Sequence, residues 1–406
     1  MATDFAATFD KLADIGCDSP TRGYRRLAWT EEDRAAREWF AGQAKKRKLG
    51  YERDRNGNLW AWWGDPADGD ALVLGSHLDT VPRGGAYDGA LGVVAGFVAV
   101  SEAQRRGLKP ERPVAVAAFA DEEGGRFGIP TFGSRLLVGA IDPSEVLDRT
   151  DQEGIRLADA LKADGLEPES LGHDKELLDQ IGGVVELHVE QGRGLVDLAA
   201  PLGVASGIWP HGRWRLTLRG EANHAGTTRL DDRHDPTLVL AEAILAARSA
   251  AARLGAVATI GRVHIDPGSI NSVPGAVDAW LDARASHDVT LDELVESVAA
   301  ETRLAGLRND VSTELVCESR SPEVDFDLDL RIRLKEVLRG HELPTPDVPT
   351  AAGHDAGVLA SRVPAAALFV RNPTGKSHTP AESASDEDCA LGCAVLAELV
   401  AEWMCD

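Results

Sequence analysis

The stretch that most constrains the fold runs from Ala71 to Gly92, with the sequence ALVLGSHLDTVPRGGAYDGALG. Its first four residues are a short apolar run, which is typical of a buried strand. His77 and Asp79 follow two residues apart, so their side chains point the same way on an extended backbone. Asp88 lies among glycines, which allow sharp turns and a close approach to a bound group. An imidazole and two carboxylates therefore meet where a strand ends, a usual ligand-binding position in α/β folds.

A single His-x-Asp pair is more typical of an ordinary strand-end turn, but the pattern recurs along the chain. Three further apolar runs read as buried strands, and each precedes side chains that bind metals. The runs and the residues that follow them are Arg112–Ala120 with Glu122 and Glu123, Gly183–Leu187 with His188, and Ala365–Val370 with His378. Helical stretches separate these runs, and this alternation predicts an α/β fold with a sheet of parallel character.

The pattern of the sequence changes near Gly207. Arg213–Arg219 alternates polar and apolar residues, which is typical of a strand with one buried face in an antiparallel sheet. The order strand–helix–strand–strand–helix–strand then follows and predicts a small α+β, ferredoxin-like insertion over residues 208–320. We therefore expect one domain formed by residues 1–207 and 321–406, interrupted by this inserted domain.

Composition excludes several classes of function. The 406 residues carry a net charge of −23, which argues against nucleic acid because phosphate binding needs clustered Lys and Arg. No apolar stretch approaches the roughly 20 residues of a membrane span, and no secretory signal is visible at the N-terminus. The five cysteines include no CxxC pair and suit a reducing cytosol, so we expect a cytoplasmic protein.

The recurring residues predict a metal centre. Imidazole and carboxylate ligands without thiolate suit Zn²⁺, Mn²⁺, Co²⁺ or Ni²⁺. A two-metal centre needs a bridging group, and Asp88, held by its glycine-rich turn, fits that role. Asp79 is too close to His77 along one strand face to be an independent ligand, and fits better as the acceptor that orients the imidazole.

The adjacent pair Glu122-Glu123 suits two roles. Adjacent side chains diverge, so one carboxylate can bind metal while the other faces the substrate and acts as general base. At a helix start, an isolated Glu-Glu pair is more often explained by stabilisation of the helix dipole.

Seven segments in order carry a resemblance to a known family: GSHLDTV with GGAYDGALGV, DEEGGRFG, ELHVEQG, EANHAGTT, NSVPG, AGHDA and GKSHTPAE. Together they resemble the amidase, hydantoinase/carbamoylase group of the M20 metallopeptidase-like amidohydrolases. The resemblance runs from about Gly75 to Glu382. It implies a mixed-sheet catalytic domain of the di-metal aminopeptidase type, with an inserted dimerisation and lid domain.

The resemblance also implies roles for individual residues. It makes Glu122 the general base and places His224 at the substrate, where it stabilises the oxyanion. It implies two metal ions per subunit, held by the ligands His77, Asp88, Glu123, His188 and His378. It implies contacts to the substrate's carboxylate or scissile carbonyl from Gln191, His224, Asn271 and Arg284, and it places His354 near the metal centre as a further substrate-binding residue.

The implied activity is hydrolysis of a linear C–N bond in a small ureido or N-carbamoyl acid, such as allantoate or an N-carbamoyl-L-amino acid, by a homodimer. The alternative is a deacylase, deformylase or aminopeptidase of the wider M20-like group, with the same metals and an N-acyl amino acid or peptide as substrate. A binding protein on the same scaffold is disfavoured because the ligands and Glu122 are all present.

Arg371 departs from the family pattern. It follows a predicted strand beside the His378 loop, so we hypothesise that it faces the pocket and binds a second acidic or polar group of the substrate. An ion pair at the protein surface is the alternative explanation.

Overall fold

The computed structural model describes residues 2–18 and 20–405 of the chain. These residues form two compact units. The first unit contains the chain up to Gly207 and again from Asp325 onward, and the second unit contains Ile208–Val324. The second unit is thus an insertion in the first, and it ends at 324 rather than at the expected 320.

The chain alternates strands and helices in both units. In order, the strands are β1 (Gly50–Arg53), β2 (Leu59–Trp63), β3 (Ala71–His77), β4 (Val114–Phe119), β5 (Ile181–Val189), β6 (Leu202–Ile208), β7 (His211–Arg219), β8 (Asn223–His224), β9 (Val257–Asp266), β10 (Ser272–Val273), β11 (Ala276–Arg284), β12 (Ser312–Ser321), β13 (Val324–Asp325), β14 (Asp347–Thr350) and β15 (Ala365–Val370). The α-helices are α1 (Ala2–Ala13), α2 (Glu31–Lys46), α3 (Ala90–Arg105), α4 (Phe132–Val138), α5 (Leu157–Ala163), α6 (Lys175–Leu178), α7 (Gly194–Asp197), α8 (Pro236–Leu254), α9 (Asp288–Asn309), α10 (Leu328–Gly340), α11 (Asp355–Leu359) and α12 (Asp386–Trp403). Among the residues described, no helix is long and apolar enough to cross a membrane.

A mixed sheet forms the centre of the first unit. Its strand order is β1-β2-β4-β3-β5-β15-β6-β13, and β14 pairs with β6. β3 is parallel to β4 and β5, and β15 is parallel to β5. β2 runs antiparallel to β1 and to β4, and β6 runs antiparallel to β15. The expected α/β class with a mixed sheet is confirmed.

The central strands are mostly apolar because the sheet is covered on both faces. Every residue of β3, β4 and β15 is buried, and strands buried on both faces read as continuous apolar runs rather than alternating ones. Helices α1, α3, α10 and α12 share one apolar cluster with these strands. α3 begins at Ala90, two residues after Asp88, so its packing fixes the turn before it.

The parallel arrangement places the expected site residues at one edge of the sheet. Neighbouring parallel strands have their carboxyl ends on the same side, where α/β folds bind ligands. His77 is the last residue of β3, and His188 is next to the last residue of β5. Glu122 and Glu123 follow β4, and His378 lies in the loop after β15.

The second unit is a small α+β fold. Four antiparallel strands pair in the order β12-β7-β11-β9. Residues of β7 and β11 alternate between buried and less buried positions, because one face of the sheet packs against α8 and α9 in shared apolar clusters. The element order β7-α8-β9-β11-α9-β12 is the strand–helix–strand–strand–helix–strand order that the sequence predicts.

Candidate metal centre

Asp88 lies at the centre of the site, and its two carboxylate oxygens face different partners. Oδ1 lies 3.5 Å from Nε2 of His77 and 3.1 Å from Nε2 of His188. Oδ2 lies 3.4 Å from Nε2 of His378. Three groups of residues are close enough to hold an ion: His77 with Asp88 and His188, Asp88 with Glu123 and His378, and Glu186 with His188 and His354. Asp88 belongs to the first two groups, which is the arrangement that a bridging carboxylate requires.

The turn that carries Asp88 is fixed by close packing and by a distant carboxylate. Gly89 adopts a φ of 67°, and a Cβ there would lie 2.4 Å from the imidazole of His77, so the position requires glycine. Oε1 of Glu382 accepts the main-chain N–H groups of Tyr87 and Asp88, each at 3.0 Å. Glu382 therefore connects the turn to the segment that carries His378.

Two of the imidazoles are oriented through main-chain carbonyls. Nδ1 of His77 lies 3.0 Å from the carbonyl oxygen of Asp79, and Nδ1 of His188 lies 2.8 Å from that of Val189. A carbonyl can only accept, so each Nδ1 carries the proton and each Nε2 keeps its lone pair. That tautomer is the one that ligates a metal through Nε2.

The donor set fits a metal ion. The lone pairs on the two Nε2 atoms face a carboxylate oxygen of Asp88, and acceptors that face each other at this distance need a cation or proton between them. Oε1 of Glu123 is buried and has no hydrogen-bond partner among the described residues, although buried polar atoms are normally paired. An ion that binds Glu123 would supply the missing partner.

The carboxylate of Asp79 does not orient His77 as expected. Its Oδ1 accepts the N–H of Glu122 at 3.1 Å, and its Oδ2 accepts the N–H of Glu123 at 3.0 Å. The prediction for Asp79 is therefore corrected: its main-chain carbonyl orients the imidazole, while its carboxylate holds the turn that carries the two glutamates. The carboxylate lies 3.8 Å from Nδ1 of His77, beyond hydrogen-bond range.

The two glutamates occupy different positions. Oε2 of Glu123 lies 3.5 Å from Nε2 of His378, within a ligand group. Oε2 of Glu122 lies 3.8 Å from Nε2 of His77, and Glu122 belongs to neither group that contains Asp88. Glu122 thus lies beside His77 without belonging to a group of candidate ligands, which leaves its carboxylate available for another role.

Burial dominates the proton affinities of the site. Burial raises the pKa of Glu122 well above its ordinary value, and Asp355, Glu123 and Asp79 add to this against the opposing effect of His77. Burial and the charge of Asp88 raise the pKa of Glu123 to about 8. Burial also favours the protonated form of Asp88, but the adjacent imidazoles of His188 and His77 outweigh burial and hold the pKa of Asp88 well below the usual range. A bound cation favours the ionised form of such carboxylates.

Gln191 and His354 both lie beside the ligands but differ in accessibility. Nε2 of Gln191 donates to Oδ2 of Asp88 at 3.1 Å and lies 3.4 Å from Nε2 of His378. His354 is only 3 % exposed, and its ring packs edge-on against His188 with centroids 4.6 Å apart. The structure thus places His354 beside His188, in a candidate ligand group with Glu186, and a contact from His354 to the substrate stays a prediction.

Sequence reasoning missed the buried acids that accept hydrogen bonds from the segments around the site. Besides Glu382, these include Glu186, which accepts hydrogen bonds from Ser76 Oγ at 2.6 Å and from the N–H of Ala356 at 2.8 Å. A signal was present, since Glu186 is a carboxylate inside an apolar strand run. Acids at such positions are almost never fully buried unless they are paired.

Arg371 does not occupy the position that we expected. Its Nε and a terminal nitrogen donate to the two oxygens of Asp388 at 2.9 and 3.1 Å. Asp388 is buried in the first turn of α12, and a buried carboxylate needs a charged partner. The alternative explanation, a structural ion pair, is thus the one that the contacts support.

Three expected substrate contacts lie in the second unit. Asn271 is next to His224, since the main-chain oxygen of Asn271 accepts the N–H of Ala225 at 2.9 Å. Nδ1 of His224 accepts the N–H groups of Gly226 and Thr227 at 3.0 and 3.1 Å, so its exposed Nε2 carries the proton.

Arg284 is not grouped with them. It ends β11, whereas the ribbon that carries His224 adjoins the start of that strand through a hydrogen bond between Gly220 and Gly275. Within its strand, the guanidinium of Arg284 pairs with the carboxylate of Asp282 through contacts of 2.9 and 3.2 Å.

A mixed α/β sheet whose strand ends bring two candidate ligand groups around a shared carboxylate is compatible with a metal site. Residues 73–402 match Peptidase family M20/M25/M40, and the chain belongs to this family. The resemblance found in the sequence is therefore confirmed.

Individual relatives cover nearly the whole chain. The chain is 36 % identical over 390 residues to the N-carbamoyl-L-amino acid amidohydrolase of Geobacillus stearothermophilus. The matched region covers 95 % of this chain and 94 % of that protein. It is 31 % identical over 405 residues to the allantoate amidohydrolase of Escherichia coli strain K12, which covers 98 % of each. The crystal structure of an amidase of the hydantoinase/carbamoylase family from Burkholderia multivorans is similar with a TM-score of 0.88 at 26 % identity, over 100 % of this chain and 98 % of that one.

Proposed function

We propose that this chain is a two-metal amidohydrolase that cleaves a linear C–N bond in a small ureido or N-carbamoyl acid. The observation that carries the proposal is the position of Asp88, whose two oxygens face two separate groups of ligating atoms. The names of the relatives, N-carbamoyl-L-amino acid amidohydrolase and allantoate amidohydrolase, support this class of substrate.

The five candidate ligands would be divided between two ions. His77 and His188 would hold one ion, Glu123 and His378 would hold the other, and Asp88 would serve both. The nitrogen and oxygen donors suit Zn²⁺ or Mn²⁺, with Co²⁺ or Ni²⁺ as further candidates. Ions at such sites lower the pKa of water and polarise a carbonyl oxygen.

Glu122 is the general base in this proposal. It accepts a proton from the attacking water and passes it to the nitrogen that leaves. Its position outside both groups that contain Asp88 supports the role, because its carboxylate is not needed to hold an ion. Addition of water across the carbamoyl C–N bond releases the amine and carbamic acid, which breaks down to carbon dioxide and ammonia.

The remaining residues bind the substrate. His224 stabilises the developing oxyanion, since its proton lies on the exposed Nε2 and a donor aimed at developing charge lowers the barrier. Arg284 pairs with the substrate's carboxylate, for which a guanidinium offers two parallel donors. The amides of Gln191 and Asn271 supply further hydrogen bonds.

The positions of His224 and Arg284 support a homodimer. β11 spans Ala276–Arg284, and eight residue steps of about 3.4 Å separate its ends by about 27 Å. A small ureido acid is much shorter than this distance. The two contacts to one substrate therefore come from different protomers, with the second unit as the dimerisation and lid domain.

A cytoplasmic location is part of the proposal. All five cysteines are free thiols among the residues described, which suits a reducing compartment.

The test is an assay of the metal-free protein after reconstitution with Mn²⁺, Zn²⁺, Co²⁺ or Ni²⁺. Allantoate, β-ureidopropionate and N-carbamoyl-L-glutamate are compared with N-formyl-L-glutamate and a dipeptide. Release of ammonia from a ureido or carbamoyl substrate is the expected result. Turnover of only the formyl compound or the dipeptide would overturn the proposal in favour of a deacylase or a peptidase, and the family's description names a peptidase.

A further inference from the structure

The turn after β5 places a second side chain at the edge of the candidate metal centre. Gln191 in this turn contacts Asp88 and His378, and Arg193 follows two residues later. Glu190 holds the turn, since its carboxylate accepts the N–H groups of Gly194 and Leu195. The backbone on both sides of Arg193 is therefore fixed close to the ligands.

The stem of Arg193 packs on the loop that carries His378. A Cβ added to Gly375 would lie 2.1 Å from Cγ of Arg193, and Gly375 has a φ of 61°. Only glycine allows this approach. The loop itself is rigid because the buried side chain of Asn372 accepts the N–H groups of Thr374 and Gly375 and donates to the carbonyl of Lys376 at 2.8 Å.

Two cationic groups here are free. Arg193 and Lys376 are exposed, and within residues 2–18 and 20–405 neither side chain has a hydrogen bond or an ion pair. Arg371, on the same loop, is instead occupied by Asp388. Arg193 lies two positions along the chain from Gln191, and Lys376 lies two positions from His378. In a chain of net charge −23, two unpaired cations next to these residues can attract an anion locally.

We propose that Arg193 and Lys376 form an anion-binding subsite that recognises a second carboxylate on the substrate. This inference rests on the proposed function and narrows it to N-carbamoyl or ureido derivatives of dicarboxylic acids. Arg284 binds the carboxylate next to the scissile group, and the subsite binds the distal one. Arg193 supplies most of the selectivity, because a guanidinium binds a carboxylate through two parallel hydrogen bonds.

The experiment compares acids with their isosteric amides. Rates are measured for N-carbamoyl-L-glutamate against N-carbamoyl-L-glutamine, and for N-carbamoyl-L-aspartate against N-carbamoyl-L-asparagine. We expect kcat/KM to be higher for the acid than for the amide in at least one pair, so that the ratio of the two values exceeds one. Arg193→Ala is expected to lower that ratio by about tenfold or more, which corresponds to the loss of one charge-assisted interaction.

Matched variants separate recognition from net charge. Lys109→Ala removes one positive charge from the exposed loop after α3 and is expected to keep the wild-type ratio. Arg193→Glu is expected to reverse the preference, because like charges repel. Thermal unfolding of each variant shows whether it is folded.

Two results overturn the inference, and they are distinguishable from failure of the proposed function. Wild-type protein that hydrolyses carbamoyl acids without preferring the acid in either pair excludes the subsite. An unchanged ratio in Arg193→Ala does the same. Wild-type protein that binds metal but hydrolyses neither a carbamoyl nor a ureido substrate contradicts the proposed function, and the inference fails with it.

Discussion

The side chain of Glu382 accepts the main-chain N–H of Asp88 at 3.0 Å, across 294 positions of sequence. Glu382 is 5 % exposed, and its second oxygen lies 3.3 Å from Oγ of Ser377. It therefore fixes both the turn of Asp88 and the loop of His378, the two segments that face each other through Oδ2 of Asp88.

Replacement of Glu382 by Ala is expected to weaken metal binding. The variant leaves the N–H groups of Tyr87 and Asp88 without their acceptor, so the Asp88 carboxylate loses its fixed position. Loss of a residue that orients a ligand typically costs about 10- to 100-fold in metal affinity. Isothermal titration of the metal-free protein with Zn²⁺ measures the change. The matched control is Glu387→Ala, an exposed acid in the next helix, and equal affinities for the two variants would contradict the role.

The sequence predicts this site largely because strands and ligands are adjacent along the chain. His77 ends β3 and His188 lies near the end of β5, so an apolar run followed by an imidazole was a sufficient signal. Gly89 and Asp88 likewise belong to one turn. Contacts of this kind depend only on local sequence and on the parallel order of strands.

The contacts that sequence reasoning missed depend on tertiary packing. Glu382 has no periodic pattern around it, and its role appears only when two distant loops meet. Arg371 is paired because α12 packs so that Asp388 faces the end of β15. The sequence predicts that Asp79 orients His77, but it does not predict that the main-chain oxygen does so rather than the carboxylate. That choice depends on the exact path of the turn after β4.

Replacement of Arg371 by Ala is expected to lower stability. The variant leaves the buried carboxylate of Asp388 without its charged partner. Because Arg371 is about one-third exposed, water partly compensates, and we expect a loss of about 1–2 kcal/mol in the free energy of unfolding. Urea denaturation measures it.

A double variant tests the origin of that loss. Arg371→Ala combined with Asp388→Asn removes the unpaired charge, so it is expected to recover part of the stability. A single variant as stable as the wild type would show that the ion pair contributes nothing.

Asp54 is expected to make stability depend on pH. Its carboxylate accepts four hydrogen bonds, from the main-chain N–H groups of Asn56 and Asn58 and from the side chains of Asn58 and Trp60. Burial nonetheless raises its pKa to about 6 from the ordinary 3.8. A raised pKa means that the folded state holds the proton more tightly than the unfolded state. Protonated Asp54 therefore makes its full contribution to the free energy of unfolding below about pH 4. This contribution is lost as the pH rises from about 4 to 6.

The variant Asp54→Asn removes this dependence. The shift corresponds to about 3 kcal/mol, so the destabilisation caused by the variant is expected to be larger at pH 4 than at pH 7 by about that amount. Urea denaturation at several pH values measures it, with the exposed Asp68→Asn as control. A destabilisation that is constant with pH would contradict the assignment.

The most direct test of the account is a paired measurement of metal content and turnover in Glu122→Gln. The variant keeps all five proposed ligands but removes the general base. We predict that it retains two metal ions per chain by mass spectrometry, while ammonia release from the best N-carbamoyl substrate falls by about 10²- to 10⁴-fold. Turnover within about tenfold of the wild type, with both ions bound, would contradict the central claim that Glu122 acts as the base beside an Asp88-bridged metal pair.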